Sequence, residues 1–256
     1  MKVNLQNVTV LIPVRIDSII RLENVLAVIS YLWENFELNI MVWEAAPYNN
    51  HKLQRLLPSN VLYEFSVDND PVFYRTKYIN NMAQMQKSGI VAVWDADVLL
   101  PVHQVSTAVS LITTNDCDIV YPYDGIFLDT SICIRQMYME NPNVSLLEEL
   151  APMMPSLYGK GSFGGVFFVD AEVYRRTGME NLNFYGWGAE DWERYERWRN
   201  MGYKIGRVKG DLFHLWHPRD MNGRYNSDRQ RKLSNYESLS IKYSSAEEIK
   251  ARMGLE

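Results

Sequence analysis

The chain has 256 residues, 47% hydrophobic and 22% charged, with a net charge of −5 and a sequence pI near 5.5. This is ordinary globular composition, enough to build the core of one large α/β domain without covalent staples. The acidic balance argues against a general nucleic-acid or anionic-membrane surface, but it permits a local basic pocket.

In chain order, VTVLIPV (8–14) is a β-branched apolar run and predicts a buried strand. Residues 18–33 are apolar at helical spacing behind Asp17 and Ser18, either of which can cap a helix. Strands are expected over 38–45 and 60–67. A helix over 75–89 should stop at Gly89, and a strand over 90–97 runs into a polar turn. A helix over 101–114 starts with proline at a first helical position, and another strand covers 117–125.

The alternation predicts a mostly parallel, twisted Rossmann-like sheet with helices on both faces. Residues 136–162 break the rhythm with prolines, one short helical piece and a glycine-rich end. They read as an excursion or mobile loop, a candidate lid. A strand resumes over 164–170, then a short helix over 171–178. GAEDWERYERWRNMG reads as a helix with Glu190 and Asp191 in its first turn. Glu190–Arg194 and Glu193–Arg197 are i,i+4 pairs expected on its exposed side. The tail after Asn226 has helical patches. No repeat divides the chain, so one domain is expected.

Cys117 and Cys133 form no CxxC pair and read as buried, reduced thiols. The start of the sequence lacks the apolar core of a signal peptide, and no apolar window reaches about 20 residues. The expectation is a cytoplasmic protein without a transmembrane segment, for which peripheral membrane association stays open. Asn143-Val144-Ser145 matches a glycosylation sequon, which carries little weight without secretion.

Four groups of residues can carry chemistry. In VWDADVLLP, Asp95 and Asp97 are two apart at a strand end, so both can project past its carboxyl edge, where open α/β sheets bind ligands. Paired carboxylates suit Mg2+ or Mn2+ bound to a diphosphate, although a lone DxD is more often a solvated turn. His214 and His217 in DLFHLWHPRD can add nitrogen ligands favouring Mn2+, or be unrelated histidines at a strand end. His51 and His103 lack acidic neighbours and read as structural or surface residues.

In FYGWGAED, Trp187 stands between glycines beside two acids. An acid in the first turn of a helix is explained by the helix dipole alone. Tyr185, Gly186 and Trp187 before it fit a sugar platform, with a carboxylate as base. Trp192, Tyr195 and Trp198 recur at helical spacing and read mostly as core. Finally, Pro13 and Arg15 end the first strand, and Arg75 and Lys77 begin a helix. Each cation can meet phosphate or a base edge, though each alone reads as a surface charge.

Together these residues resemble inverting GT-A glycosyltransferases, especially β-1,4-galactosyltransferases and bacterial chondroitin-polymerase-like enzymes. The longest match is FGGVFFVDAEVYRRTGMENLNFYGWGAEDWERYERW (163–198). WDADVLLP, YRTKYINN, IPVR and HPRD resemble the family's DxD, R-x-K-x-x-N, P-x-R and H-x-R-D segments, so the likeness spans roughly 8–230. It implies a metal bound by Asp97 and by His217 or its rival His214, and Asp95 at the donor ribose. It also implies nucleotide contacts from Pro13, Arg15, Arg75 and Lys77. Asp191 becomes the general base. Glu190, Trp187, Gly186 and Tyr185 hold the acceptor and donor sugars, and Ser162, Phe163, Gly164 and Gly165 lie along the donor.

The resemblance further implies a nucleotide-sugar half (1–125), an acceptor half (126–225) and a helical tail (226–256). The partners are a UDP-sugar and a glycan acceptor, with Mn2+ or Mg2+, in bacterial surface polysaccharide synthesis. Two departures stand out. Trp192 follows the ED pair where the family often has further acids. Ser162 stands where vertebrate galactosyltransferases carry a bulky aromatic, which leaves room for the N-acetyl group of GalNAc beside Gal. A sugar nucleotidyltransferase would need a glycine-rich basic loop after the first strand, which IPVRIDS lacks. A non-catalytic glycan-binding domain would need neither DxD nor paired histidines.

Overall fold

The computed structural model describes residues 2–86, 89–219 and 224–255. Residues 8–14, the apolar run of the sequence, are all buried and form the second half of β1 (Val3–Val14). β1 starts before the apolar run because Val3 and Asn4 pair with Phe36 and Glu37 across a bulge. Ser18 caps α1 (Ile19–Asn35) by accepting from the Arg21 N–H. Then come β2 (Phe36–Ala46), α2 (Lys52–Leu56), β3 (Leu62–Val67) and α3 (Arg75–Met85). α3 ends before the expected Gly89, and positions 87–88 lie outside the described residues. Gly89 itself has φ +85°, and a Cβ there would stand 2.5 Å from the Asn7 carbonyl oxygen.

The next elements are β4 (Ile90–Trp94), β5 (Val98–Leu99), α4 (Val102–Thr113), β6 (Ile119–Tyr121) and β7 (Phe127–Asp129). The strand expected over 90–97 ends at Trp94 and enters the polar turn at Asp95–Asp97, after which β5 begins. The expected excursion over 136–162 is largely helical, in α5 (Ile132–Glu140), α6 (Val144–Leu150) and a 3-10 turn at Ala151–Met153. This corrects the loop expectation for 136–153, whereas residues 154–162 form no helix or strand. Arg135 is buried and reaches Asn24 (2.8 Å) and Glu23 (2.6 Å) of α1, and Leu147 is fully buried, so the segment is anchored to the core. Asn143 of the sequon caps α6.

After it come β8 (Val166–Asp170), α7 (Ala171–Arg176), α8 (Glu190–Asn200), β9 (Ile205–Arg207), β10 (Leu212–His214), α9 (Asp228–Lys242) and α10 (Ala246–Met253). The seven-stranded sheet has the order β3-β2-β1-β4-β8-β6-β9. β8 alone runs antiparallel to both neighbours, so the sheet is mostly parallel and flanked by helices, as expected. A second sheet has the order β5-β10-β7.

Two local expectations are corrected. Cys117 is half-buried and Cys133 exposed, both as free thiols. The charged pairs of α8 do not lie on an exposed side. Glu193 and Arg197 do pair, at 2.8 Å, but both are buried. Arg194 is also buried and turns to Glu180 (2.8 Å) and Asp191 (2.6 Å) rather than to Glu190. Residues 177–180 meet these side chains, since Arg197 donates to the carbonyls of Thr177 and Met179 and Arg194 pairs with Glu180. The tail packs on the same helix: Ser234 of α9 accepts from the Ala189 N–H (3.0 Å), and Asn200 donates to the Ile241 carbonyl (2.9 Å). Of the aromatic stripe, Trp198 is core, whereas Trp192 is half-exposed.

Candidate active site

The small sheet builds the polar centre. β5 and β10 pair antiparallel with Val98 opposite His214, and β10 pairs with β7 with His214 opposite Asp129. This register brings Asp97, one residue before β5, against the end of β10, and the Leu215 N–H donates to the Asp97 carbonyl at 2.7 Å. His214 Nδ1 lies 2.7 Å from Asp129 Oδ1, and His217 Nδ1 lies 2.8 Å from the Pro218 carbonyl. Both Nδ1 atoms face acceptors. The neutral tautomers therefore carry the proton on Nδ1 and turn the Nε2 lone pair outward. Those Nε2 atoms stand 3.7 Å (His214) and 3.1 Å (His217) from Asp97 oxygens.

Ligand atoms of these three residues all lie within 4.8 Å of one another, forming a metal-sized cluster of one oxygen and two nitrogen donors. The donor set fits Mn2+ and tolerates Mg2+ less well. Burial would raise the Asp97 carboxyl pKa, but His214, His217 and the nearby Arg21 hold it well below the usual carboxylate range. Burial opposes protonation of His217, yet the Asp97 hydrogen bond and charge outweigh it and raise its pKa. Both histidines proposed as rivals thus sit at the same carboxylate. Asp220 of the H-x-R-D segment lies outside the described residues.

Asp95 begins the same turn, its N–H donating to the Gly165 carbonyl at 2.8 Å. It does not join the metal cluster but pairs with Arg75, whose Nε is 3.1 Å away. Burial raises the Asp95 pKa, and Arg75 opposes the rise.

Asp191 is held from behind by Arg194, which is itself anchored by Glu180. Gly164 faces it: a Cβ at Gly164 would stand 2.7 Å from Asp191 Oδ2, so only glycine leaves room for that carboxylate. Gly165 has φ +81° and would meet Leu212 and Phe127 at 2.8 Å. Glu190 is buried, and its Oε2 has no hydrogen-bond partner among the described residues. Burial, reinforced by the charge of Asp191 and opposed by Arg75, pushes its pKa up to about 8.

These groups line one cleft of about 440 Å³. Pro13, Arg15, Arg75, Asp95, Asp97, Ser162, Phe163, Gly164, Gly165, Trp187, Glu190, Asp191, His214 and His217 all border it. Three sequence candidates do not. Lys77 is exposed with its ammonium 5.5 Å from the Tyr78 ring. Tyr185 donates its hydroxyl to Asp70, and with Gly186 it lines a neighbouring pocket that shares only Trp187 and Gly188 with the cleft.

Sequence reasoning missed several residues. Asp129 orients His214, Arg194 and Glu180 orient Asp191, and Arg21 stands 3.9 Å from Asp97. Arg207 donates to the Ser162 carbonyl (2.8 Å) and stacks on Phe163 at 4.4 Å. Lys160 and Arg219 border the cleft as further cations. Arg194 is i,i+3 from Asp191 and Arg219 lies in the HPRD segment, but the others have no spacing signal because each acts across the tertiary structure.

Residues 145–219 match the family model described as the N-terminal domain of galactosyltransferase. A search of curated protein sequences finds no significant match. Among solved structures, glucosyl-3-phosphoglycerate synthase from Mycobacterium tuberculosis, in complex with Mn2+, UDP and phosphoglyceric acid, aligns with a TM-score of 0.51. The identity is 14%, over 98% of this chain and 80% of that one. The same enzyme with Mg2+ and UDP aligns at 0.52, again 14% identical over 98% and 80%. The catalytic domain of Drosophila β1,4-galactosyltransferase 7, in complex with xylobiose, aligns at 0.54 with 17% identity, over 89% of this chain and 79% of that one. The chain has the GT-A fold, and in its family-model match and its architecture it resembles the galactosyltransferase-type GT-A glycosyltransferases.

Proposed function

We propose that the protein is a metal-dependent inverting glycosyltransferase. It moves a hexose or N-acetylhexosamine, with Gal or GalNAc favoured, from a UDP-sugar to a glycan hydroxyl. The observation that carries this reading is the shared cleft: an O,N,N cluster able to hold a metal, at Asp97, His214 and His217, lines the same cleft as the acidic pair Glu190–Asp191. A binding module needs neither half. The solved neighbours carry Mn2+ or Mg2+ with UDP in their own complexes, which supports the same cofactors here.

In this reading Asp97, His214 and His217 hold the divalent ion, which when bound neutralises the diphosphate charge of departing UDP. The cations bordering the same cleft, Arg15, Arg75, Lys160 and Arg219, add to that neutralisation. Asp191 takes the proton from the acceptor hydroxyl, oriented by its ion pair with Arg194. The acceptor oxygen bonds to the anomeric carbon on the face opposite UDP, the bond to the UDP oxygen breaks, and the configuration inverts. Glu190, neutral below its raised pKa, offers a proton for a hydrogen bond to a sugar hydroxyl. Trp187 between the two pockets is a stacking platform for the acceptor ring. Ser162 is small and its backbone is fixed by Arg207, so the donor's C2 side has space for an N-acetyl group. The cytoplasmic setting and a role in bacterial surface polysaccharide synthesis belong to this same proposal.

The test is UDP release from UDP-Gal, UDP-GalNAc, UDP-Glc and UDP-GlcNAc with Mn2+, with and without simple sugar acceptors. Release that one acceptor stimulates and EDTA abolishes is expected. Silence with every donor, joined by absence of UDP-sugar binding in calorimetry, would refute the reading. Strict preference for UDP-Gal would refute the Ser162 argument alone.

A further inference from the structure

α9 is packed on one side and bare on the other. Ser234, Glu237 and Ile241 face inward and are buried. At 3.6 residues per turn, the adjoining outer arc carries Leu239, Lys232, Tyr243, Tyr236, Arg229, Ser240 and Leu233 in that order, with Arg229 and Leu233 bordering the pocket beside Trp187. Leu233, Tyr236, Leu239 and Tyr243 are 57%, 67%, 52% and 78% exposed. Leu182, also exposed, is carried alongside because Asn181 and Asn183 both donate to Glu237 of this helix. Most other exposed large apolar side chains of the described residues are spread singly over the chain, which needs no explanation. A continuous stripe on one helix does.

The charges on the stripe indicate what covers it. α9 has four cations, Arg229, Arg231, Lys232 and Lys242. Of its two acids, Glu237 is turned inward to Asn181, Asn183 and Arg252, and Asp228 is paired with Arg231 at 2.9 Å. The face is therefore basic on a chain whose net charge is −5. A second copy docked about a two-fold axis would bring two basic faces together, which like-charge repulsion disfavours. A bilayer with anionic headgroups meets both features together: leucine and tyrosine enter the headgroup boundary while the Lys and Arg tips reach lipid phosphates.

We propose that the outer face of α9 docks the protein on an anionic lipid bilayer. The helix is tied to the active-site loop, since Gln230 donates to the Trp187 carbonyl at 3.2 Å and Ser234 accepts from the Ala189 N–H. Docking therefore holds the Trp187 end of the cleft one helix diameter, roughly 10 Å, from the lipid surface. If the transferase reading holds, on which this one consequence rests, the acceptor glycan is one carried at that surface.

The test is sedimentation of the full chain with phosphatidylcholine vesicles, alone or mixed with phosphatidylglycerol. Binding is expected to the mixed vesicles only, and to weaken as salt rises. Lys232→Glu and the triple substitution Y236S/L239S/Y243S should each weaken it roughly tenfold. None of these residues lines the cleft, so circular dichroism and turnover on a soluble acceptor should not change. An inactive protein that still binds the vesicles would therefore sink the transferase reading and spare this one. No binding to mixed vesicles, equal binding to neutral lipid, or unaffected variants would overturn the proposal. So would a wild-type dimer that the triple substitution converts to a monomer, which would assign the face to a second copy.

Discussion

Asp191 has a buried arginine behind it and a glycine in front of it. The arrangement supports a proton acceptor whose carboxylate position is held while its outer oxygen stays accessible. Asp191→Asn is expected to keep UDP binding and lose roughly 10²–10⁴-fold in transfer, the range for removal of a general base. Unchanged turnover would take Asp191 out of that role. Gly164→Ala should act through the same carboxylate, because its new methyl would stand 2.7 Å from Asp191 Oδ2. It is expected to lower kcat by at least tenfold with little change in UDP affinity, since a small displacement of a reacting group costs that much or more. A pure loss of donor affinity would show instead that Gly164 serves the donor, as the sequence resemblance implied. The acidic pair was legible because ED follows FYGWG in order. The glycine's partner was not, because Gly164 and Asp191 are distant in the chain.

At the scale of elements, the three-stranded sheet is the device that assembles the cluster of Asp97, His214 and His217, the proposed metal site. Its register joins a turn after β4, the end of β7 and the end of β10, and β7 is too short to be recognised as a strand by alternation alone. Asp129 is the cheapest point to test it. Asp129→Asn should leave the fold intact but weaken Mn2+ binding 10–100-fold, the usual cost of losing a carboxylate that orients a metal-binding imidazole. Calorimetric titration with Mn2+ in the absence of any sugar reads this directly, and an unchanged affinity would remove His214 from the site. α8 teaches the complementary lesson. Its i,i+4 pairs suggested a solvated face, but α9, α10 and residues 177–180 cover it. Arg197 consequently lies buried, donating to the carbonyls of Thr177 and Met179. Periodicity names the faces of a helix but not what packs on them.

For the whole molecule, the burial of Glu190 couples the site to stability. Its folded pKa of about 8 exceeds the ordinary 4.5. Between those values the folded state binds a proton that the unfolded state has released. The contribution is therefore fully present below pH about 4.5 and is lost as pH rises through about 8. Glu190→Gln should flatten this decline: from pH 6 to pH 9 the variant's Tm is expected to fall less than the wild type's. Parallel curves would show that Glu190 does not carry the raised pKa.

The sequence by itself determined the alternation of strands and helices, the mostly parallel sheet and the identity of half of the residues that line the cleft. These follow from local patterning and from motifs whose members are near neighbours in the chain. Only the tertiary structure decided that both histidines meet Asp97, that Asp95 answers Arg75, and that Lys77 and Tyr185 stand outside the cleft. It also decided that α5 and α6 replace a loop and that charged residues of α8 are core. Each of those outcomes depends on contacts between segments far apart in sequence, where burial and pairing partners override what a local pattern can encode.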